Sequence, residues 1–533
     1  MSDLADPRAD LAYASIPGLV RRTGERFGAA EALVDGDVRY SFAALADAVE
    51  RAARAAIASG VERGTRVAIW APNCPEWVIA ALGAVSAGAE LVPLNTRYRG
   101  QEAADILRRS RSELLFTVRG FLGTDYVGLL HTVDEALPDL RQIVTLKGDG
   151  GSGARTWAQF LDGADGVSAT SARERADALG PDDISDLIYT SGTSGRPKGV
   201  LCTHGQTLRV FGVWSGVVGL EAADRYLVVN PFFHTFGYKA GIIACLLQGA
   251  TIVPEPVFDA KAVLARIEDE KVTVLPGAPA LYTSILQLPD RSGYDTSSLR
   301  LAVTGAAVVP VELVRRMRSE LGFGTVLTAY GLTESTGTVT MCRRGDDDET
   351  IAHTSGRAIP DTEVRAVDEA NVPVPVGTPG EIVTRGYHVT RGYVDDPAAT
   401  AAAIDSDGWL HTGDVGILDE RGNVTITDRI KDMYVVGGFN AYPAEVEQVL
   451  MTHPSIGEVA VVGVPDERLG EVGAAFAVAR PGESIDEQQI IAWARERLAN
   501  FKVPRRVVSV EALPRNPSGK VRKYALRERD LTA

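Results

Sequence analysis

Short β-branched and aliphatic runs alternate with amphipathic segments through most of this chain. The stretch Ala260–Lys271, for example, places Val263, Leu264 and Ile267 on one helical face. Such alternation is typical of helices packed on a largely parallel sheet, because each parallel strand needs a crossover before the next one. The pattern predicts strands at Arg66–Trp70, Leu91–Leu94, Leu114–Val118, Leu227–Asn230, Val272–Leu275 and Leu301–Thr304.

The chain has 533 residues, too many for one compact core, so several folding units are expected. G-A-E-L-V-P at Gly88–Pro93 recurs as G-A-T-I-V-P at Gly249–Pro254, which indicates either two similar α/β subdomains or a chance likeness. After residue 350, glycines, prolines and polar–apolar alternation indicate β-rich structure, and the charged pentad Asp428–Asp432 marks a joint. We expect an α/β protein. Its large N-terminal domain, residues 1–430, holds two α/β subdomains and a β-rich one, and a small mobile α+β domain, residues 431–533, follows a hinge at Lys431.

The net charge of −15 at pH 7 argues against nucleic-acid binding, whose affinity comes largely from neutralising phosphates. Four cysteines lie far apart without metal-ligand spacing, as in proteins of a reduced cytosol. The N-terminus lacks a signal-peptide pattern and no uncharged run suits a membrane span, so a cytoplasmic protein is expected. The sequence does not determine the oligomeric state, for which a homodimer is one candidate.

A loop rich in glycine and hydroxyl groups follows the apolar run Leu187–Tyr189. It reads T-S-G-T-S-G-R-P-K-G over Thr190–Gly199. Glycines let backbone N–H groups turn towards an anion, hydroxyls add donors and Lys198 adds charge, so the loop suits a polyphosphate. A flexible linker is the alternative on these residues alone.

Further segments combine side chains that are typical of a functional site. Y-G-L-T-E at Tyr330–Glu334 offers an aromatic ring, a small residue, a hydroxyl and a carboxylate for Mg²⁺, or else a capped helix start. W-L-H-T-G-D at Trp409–Asp414 places a carboxylate after a tight turn, which suits a ribose diol or a turn cap. Arg429 follows, and N-P-S-G-K at Asn516–Lys520 presents a lysine on a turn-rich loop.

Together and in this order, these motifs resemble the acyl-adenylate-forming superfamily of acyl-CoA synthetases, luciferases and peptide-synthetase adenylation domains. The resemblance runs from residue 15 to 530 and includes G-G-F-N-A-Y-P-A-E-V-E after the joint. It implies an AMP-forming acid–thiol ligase that uses ATP, Mg²⁺ and coenzyme A on a small carboxylic acid. One departure is Asp428, where the family often has glycine, which leaves the local hinge geometry open.

The resemblance also implies a role for each matching residue. Lys520, Thr193 and His234 are the catalytic residues implied, with Lys520 between the attacking carboxylate and the α-phosphate, and Glu334 is the implied Mg²⁺ ligand. The nucleotide and CoA residues implied are Thr190, Ser191, Gly192, Thr193, Ser194, Gly195, Lys198, Gly305, Ala306, Ala307, Tyr330, Gly331, Thr333, Asp414, Arg429, Lys431, Gly437, Gly438 and Lys520.

The acyl site implied by the resemblance centres on N-P-F-F-H-T-F-G. An acidic residue is missing from Phe232–Phe236, which favours an acid without an α-amine, and free CoA is the expected acceptor. Lys239 either contacts a polar group of the acid or reaches the surface with its ammonium. The substrate-binding residues implied are His234, Phe233, Phe236, Lys239, Ala306 and Gly331.

Two stretches, N-P-F-F-H-T-F-G-Y-K-A-G-I and V-L-T-A-Y-G-L-T-E, resemble in particular an actinobacterial subgroup of acyl-CoA synthetases. That subgroup activates the bicyclic indanedione-propanoate left by steroid degradation. The alternatives are a medium- or long-chain fatty acid, an aryl acid, or a non-catalytic relative that only binds a nucleotide.

Overall fold

The computed structural model describes residues 8–133, 136–151, 153–191, 197–305, 309–368, 370–429, 434–441, 443–514, 521 and 523–527. They form two compact units. The first unit comprises Met1–Thr96, Ala104–Tyr189 and Gly199–Thr427, and the second comprises Arg97–Ala103, Thr190–Lys198 and Asp428–Ala533. Lys431, the expected hinge, lies outside the described residues, so the hinge stays a prediction.

The helices are α1 (Ala9–Tyr13), α2 (Ile16–Phe27), α3 (Phe42–Ala58), α4 (Pro75–Ser86), α5 (Gly100–Ser110), α6 (Tyr126–His131), α7 (Trp157–Asp162), α8 (Ala169–Asp177), α9 (His204–Val218), α10 (Thr235–Gly237), α11 (Ala244–Gln248), α12 (Ala260–Glu270), α13 (Pro279–Leu286), α14 (Val311–Leu321), α15 (Asp348–His353), α16 (Pro397–Ala403), α17 (Pro443–Leu450), α18 (Glu487–Arg495) and α19 (Lys523–Arg527). Three 3₁₀ turns, Gly163–Gly166, Arg291–Gly293 and Thr333–Ser335, and a π-helical segment, Tyr238–Ile243, complete the helical structure of the described residues.

The strands are β1 (Glu31–Asp35), β2 (Val38–Ser41), β3 (Arg66–Trp70), β4 (Glu90–Pro93), β5 (Leu114–Thr117), β6 (Arg119–Phe121), β7 (Thr124–Asp125), β8 (Gln142–Thr145), β9 (Arg155–Thr156), β10 (Ile184–Ser191), β11 (Pro197–Thr203), β12 (Arg225–Val228), β13 (Thr251–Pro254), β14 (Leu301–Gly305), β15 (Thr325–Tyr330), β16 (Thr340–Met341), β17 (Arg357–Ala358), β18 (Thr362–Val367), β19 (Gly380–Gly386), β20 (Leu410–Leu418), β21 (Val424–Arg429), β22 (Tyr434–Val436), β23 (Phe439–Ala441), β24 (Ile456–Asp466), β25 (Gly470–Ala479) and β26 (Arg506–Ser509).

The first unit is built on two α/β sheets. One has the order β11-β10-β4-β3-β5-β8-β9, and the other has the order β12-β13-β1-β2. Helix α4, almost wholly buried, contacts β1 of one sheet and β3 and β4 of the other, so it packs between them. The repeated helix–Gly–strand stretches fall one in each sheet, at β4 and β13, as two α/β subdomains require.

Strands β14 and β15 form the start of a further sheet, ordered β14-β15-β16-β17. They are parallel, with Gly305 opposite Ala329, so both end at the same edge. The β-rich region is an antiparallel sheet ordered β18-β19-β20-β21. These elements confirm the expected mixed α/β fold class.

The prediction of a strand at Val272–Leu275 is wrong. Only Val274 pairs there, through single bridges to Tyr226 and Leu301, so the run joins β12 to β14 without being a strand itself. Pro276 follows at once and has no N–H for a ladder. A second expected strand, Leu227–Asn230, begins earlier, at Arg225, and ends at Val228.

The second unit has its own sheet, in which β23, β22, β25 and β24 are neighbours and β26 pairs with β25. Its core includes Tyr434, Val461, Phe476 and Leu526. Helix α17 packs on β24 and α18 packs on β26, which gives a small α+β arrangement. Lys502 is buried in this unit, with its Nζ 2.6 Å from Glu445 Oε1 on α17.

All four cysteines of the chain are free thiols with buried side chains: Cys74, Cys202, Cys245 and Cys342. Burial raises the pKa of Cys74 to about 12 and that of Cys202 to about 11. They are structural residues rather than nucleophiles, because a nucleophilic cysteine needs an accessible thiolate.

Candidate functional site

Two glycines shape a cradle at the common edge of β14 and β15. A Cβ on Gly305 would lie 2.5 Å from the carbonyl oxygen of Ala329, and one on Gly331 would lie 2.3 Å from that of Gly337. Neither position accepts a larger residue without moving backbone. Tyr330 directly precedes Gly331 at the end of β15 and is half-buried. The expected contact between Tyr330 and adenine stays a prediction.

Tyr330 and Asp414, expected to meet the adenine and the ribose, are in direct contact. The Tyr330 hydroxyl donates to Asp414 Oδ2 at 2.5 Å, and Asp414 is only 1% exposed. Glu381 fixes the turn before Asp414, because its Oε1 accepts the Gly413 N–H at 3.0 Å. Glu381 Oε2 lies 2.9 Å from His411 Nδ1. Gly305, Tyr330, Gly331 and Asp414 are together called the platform. Glu381 of β19 supports it through the turn before Asp414.

Glu334 lies in the 3₁₀ turn Thr333–Ser335 with a partly exposed carboxylate. Tyr393 donates its hydroxyl to Glu334 Oε1 at 2.9 Å, and the Thr390 N–H donates to the Glu334 carbonyl oxygen at 2.9 Å. The Thr336 hydroxyl bonds the His388 carbonyl oxygen at 2.8 Å. One segment after β19 therefore fixes both the backbone and the side chain of the expected metal ligand.

The expected phosphate loop lies between β10 and β11. Thr190 and Ser191 end β10, and Lys198 follows Pro197 at the start of β11, so the described part of the loop has strand-to-strand geometry. Gly192, Thr193, Ser194 and Gly195 lie outside the described residues, as do Ala306, Ala307 and Lys520. Their roles stay predictions.

The expected acyl segment turns sharply after β12. His234 caps α10, because its Nδ1 accepts the Phe236 N–H at 3.2 Å. Phe233, His234 and Phe236 keep solvent-accessible side chains, whereas Phe232 is buried against Trp77 with ring centroids 5.1 Å apart. The segment therefore presents one histidine and two aromatic rings to solvent.

The expected acyl segment lies directly beside the platform around Tyr330. A Cβ on Gly337 would lie 2.3 Å from Thr235 Cγ2, and Gly337 is the residue whose carbonyl oxygen crowds Gly331. The sequence motifs that contain His234 and Tyr330 are therefore neighbours in space. A carboxylate held by one and a nucleotide held by the other would meet there.

Lys239 does not reach the surface, and that expectation is wrong. Its side chain is fully buried in the π-helical segment, and its Nζ lies 2.9 Å from Oδ1 of Asp186, which is also fully buried. The structure thus shows an internal ion pair rather than an ammonium held ready for the acid. Sequence patterns do not indicate this partner, because Asp186 lies far from Lys239 along the chain.

A second residue that sequence patterns do not indicate is Asn73, which holds the expected acyl segment. It is 4% exposed and its side chain bonds the acyl segment three times, to the carbonyl oxygens of Val228 and Asn230 at 2.9 and 3.0 Å and to the Phe232 N–H at 2.7 Å. These bonds hold the end of β12 and the residues that follow it in place. A single asparagine in a loop carries no sequence signal for such a role.

In the second unit, Gly437 and Gly438 form the turn between β22 and β23 with φ values of 56° and 86°. Two successive residues with positive φ are typical of a tight hairpin and strongly favour glycine. Arg429 ends β21. The expected roles of these residues towards CoA and ribose stay predictions.

The motifs expected of an adenylate-forming enzyme, around Tyr330 and around His234, thus lie side by side in the fold. Comparison with known proteins agrees. The family model of the AMP-binding enzyme matches residues 20–394, and the AMP-binding enzyme C-terminal domain matches residues 445–520. The chain belongs to the AMP-binding enzyme family, which uses ATP and CoA. The predicted superfamily and the prediction of an acid–thiol ligase are confirmed.

Among its relatives, a 3-[(3aS,4S,7aS)-7a-methyl-1,5-dioxo-octahydro-1H-inden-4-yl]propanoyl:CoA ligase of Rhodococcus jostii is 52% identical over 96% of this chain and 98% of its own. The ligase of the same name from Mycobacterium tuberculosis is 53% identical over 86% of this chain and 88% of its own. The human mitochondrial medium-chain acyl-CoA ligase ACSF2 is 33% identical over 95% of this chain and 86% of its own.

Solved structures share the fold over nearly the whole chain. The o-succinylbenzoate CoA synthetase of Bacillus subtilis superposes with a TM-score of 0.80 at 27% identity, covering 96% of this chain and 98% of that one. The amide bond synthetase McbA of Marinactinospora thermotolerans superposes with a TM-score of 0.83 at 29% identity, covering 96% of this chain and 99% of that one. Within the part of the chain that the structure describes, no helix is both long and apolar enough to cross a bilayer.

Proposed function

We propose that this chain is an ATP-dependent acyl-CoA ligase that activates a bicyclic, steroid-derived propanoate carrying two ring ketones. The observation that carries this substrate is the 52% identity with the Rhodococcus jostii ligase named for that acid, which extends over 516 residues. A medium-chain fatty acid is the second candidate, supported by 33% identity with ACSF2.

In the first half-reaction the carboxylate of the acid attacks the α-phosphorus of ATP. A bond forms between carboxylate oxygen and phosphorus, the bond to the β-phosphate oxygen breaks, and pyrophosphate leaves with the electron pair. Both reactants are anions, so the protein contributes positioning and positive charge rather than covalent chemistry. We assign the leaving phosphates to Thr190, Ser191, Gly192, Thr193 and Lys198.

The nucleoside is assigned to the platform. Tyr330 and the cradle around Gly305 would contact adenine, and Asp414 and Arg429 would take the ribose hydroxyls. The contact between Tyr330 and Asp414 supports this assignment, because it places the carboxylate proposed for the ribose directly beside the ring proposed for adenine. Thr333 and Lys520 are proposed for the α-phosphate and the attacking carboxylate.

Glu334 fits a magnesium site. Mg²⁺ prefers oxygen ligands and is commonly held by one or two carboxylates together with substrate phosphates, and no cluster of three His, Cys, Asp or Glu suited to a metal occurs among the described residues. Tyr393 fixes the Glu334 carboxylate without neutralising it, because a hydroxyl donor carries no charge. The bound ion would neutralise charge on the phosphates.

In the second half-reaction the thiol of CoA attacks the acyl carbon and AMP leaves. Gly437 and Gly438 are proposed to line the pantetheine path, since residues without side chains admit a narrow chain closely. Lys431 is proposed as the hinge between the two half-reactions. The acyl segment supplies His234, Phe233 and Phe236 around the acid, and it carries no acidic side chain that would select an amine.

The test is an acid panel with ATP and CoA, scored for pyrophosphate and for thioester mass. The panel comprises the indanedione-propanoate, octanoate and benzoate, with a reaction lacking acid as the control. We expect the indanedione-propanoate to give the highest kcat/KM. Octanoate as the preferred acid would favour the second candidate, and acid-independent or absent pyrophosphate release would contradict a ligase.

A further inference from the structure

A buried ion pair lies where the chemically important segments of the first unit meet. Lys239 and Asp186 are both fully buried, with Nζ and Oδ1 2.9 Å apart. The Ser185 hydroxyl donates to Asp186 Oδ2 at 2.7 Å, which occupies the second carboxylate oxygen. Burial alone would lower the pKa of Lys239, but the Asp186 carboxylate raises it above its usual value, so the ammonium stays charged.

Each partner belongs to a different functional segment. Asp186 is on β10, four residues before Thr190 and the expected phosphate loop. Lys239 is in the π-helical segment Tyr238–Ile243, which directly continues α10 and the acyl residue His234. The pair therefore ties the strand that enters the phosphate loop to the helix that carries the acyl segment.

A third segment approaches the same pair. Cys202 on β11 is buried close to this pair, so that burial raises the pKa of its thiol overall, while Lys239 lowers that pKa and Asp186 raises it. Its Sγ lies 3.9 Å from Oγ1 of Thr336, two residues after Glu334. The turn that holds the expected metal ligand is thus packed against the same buried group.

The backbone around Lys239 is also unusual. A π-helix is rare and is often found at functional sites, and here it places a lysine in the core instead of on the surface. Gly241 permits this close packing, because a Cβ there would lie 2.8 Å from Val228 Cγ1 on β12. The segment that carries Lys239 is therefore packed tightly against β12.

Stability alone does not explain this arrangement. Replacing a buried ion pair by well-packed apolar side chains is often neutral or stabilising, because each charge loses its hydration. Unlike apolar packing, an ion pair requires its two side chains to keep one specific position relative to each other. A displacement of 1 Å between reacting groups can reduce an enzymatic rate by about 10²-fold.

We propose that Lys239 and Asp186 form a positioning pair, which sets the acyl segment relative to the phosphate-loop strand and so aligns the carboxylate of the acid with the α-phosphorus. This inference rests on the proposed function. It assigns neither residue a contact with substrate. It predicts that the pair controls adenylation while leaving the affinity for CoA unchanged.

The experiment compares Lys239→Met, which leaves Asp186 alone, with the double variant Lys239→Met/Asp186→Val, which removes both charges. Thermal unfolding, pyrophosphate release and the KM for CoA are measured with the most active acid of the panel. Arg66→Met is the control for the loss of an ion pair in the same sheet, because Arg66 Nε also lies 2.9 Å from a carboxylate, Glu90 Oε2, at the starts of β3 and β4.

We expect Lys239→Met to lower both Tm and kcat for pyrophosphate release, the latter by about 10- to 100-fold. The double variant should recover the Tm of the wild type but keep kcat at least about 10-fold low, with KM for CoA within about twofold. Arg66→Met should lower Tm and leave kcat unchanged.

Recovery of kcat together with Tm in the double variant would overturn the proposal, since the pair would then be a purely structural element. A Lys239→Met enzyme with the kcat of the wild type would overturn it as well. A wild-type protein that releases no pyrophosphate with any acid would instead overturn the proposed function, and the positioning role with it.

Discussion

At the scale of single residues, Asp414 is in an unusual position for a charged group. Its carboxylate is almost completely removed from water, yet it accepts a hydroxyl from Tyr330, the residue expected to contact the base. The residues proposed for the base and for the ribose are therefore linked by one hydrogen bond. A change at either residue alters the environment of the other.

Replacing Asp414 by Asn should raise the KM for ATP by about 10- to 100-fold, because hydrogen bonds to a charged acceptor are worth about 1.5–3 kcal/mol. The measurement is pyrophosphate release with ATP varied at saturating acid. Tyr330→Phe is the control that keeps the carboxylate and removes the linking hydroxyl, and it should have a smaller effect. An unchanged KM in Asp414→Asn would rule out the ribose assignment.

Replacing Glu334 by Gln should raise the Mg²⁺ concentration for half-maximal activity by at least about 10-fold, because the amide removes the anionic ligand. Tyr393→Phe keeps the carboxylate and removes only its hydrogen-bond donor, so a shift of about two- to tenfold is expected. Both are measured by titrating Mg²⁺ at fixed ATP. Equal Mg²⁺ dependence in wild type and Glu334→Gln would place the metal elsewhere.

At the scale of elements, the turn after β15 depends on the absence of a side chain. Gly331→Ala would place a Cβ 2.3 Å from the Gly337 carbonyl oxygen, so backbone must move. We expect a loss of about 1–3 kcal/mol in the free energy of unfolding, seen in urea titrations, and a loss of adenylation.

Gly216→Ala, within α9, provides the comparison for that substitution. No atom lies within 4 Å of the added Cβ there, and alanine is favoured over glycine in a helix interior by about 0.5–1 kcal/mol. This variant should be neutral or more stable, with unchanged activity. Similar destabilisation by both alanines would show that the crowding at Gly331 is relieved at little cost.

Periodicity and motif order predicted much of this architecture, because both depend on neighbours in the chain. β3 was predicted at its observed bounds, and α12 to within one residue. The contacts that organise the site were not predictable in that way. Asn73, Tyr393 and Asp186 each act on a partner distant in sequence, and one sequence contains no information on which distant residues pair.

At the scale of the whole molecule, two buried histidines connect stability to pH. His204 and His388 are 1% and 0% exposed, and burial lowers the pKa of each to about 4. The ordinary value is 6.5, so the unfolded chain takes up protons first as the pH falls. Their contribution to stability is present above pH 6.5 and is lost as the pH falls from 6.5 towards 4.

We expect the free energy of unfolding to fall by on the order of 3 kcal/mol per buried imidazole across that interval. Urea titrations at pH 7, 6 and 5 measure it. His388→Gln should make the dependence shallower, whereas His353→Gln should not, because His353 is 67% exposed. Parallel curves for wild type and His388→Gln would show that other groups dominate acid unfolding.

The four buried cysteines matter for the redox environment in which such an enzyme works. Thiol–disulfide exchange needs a thiolate that a disulfide can reach, and burial raises the pKa of all four thiols while closing off access to them. An enzyme whose second substrate is itself a thiol meets oxidised coenzyme A whenever its surroundings become oxidising. All four cysteine thiols of this chain are buried in the fold, so none is presented to that disulfide to form a mixed disulfide with coenzyme A.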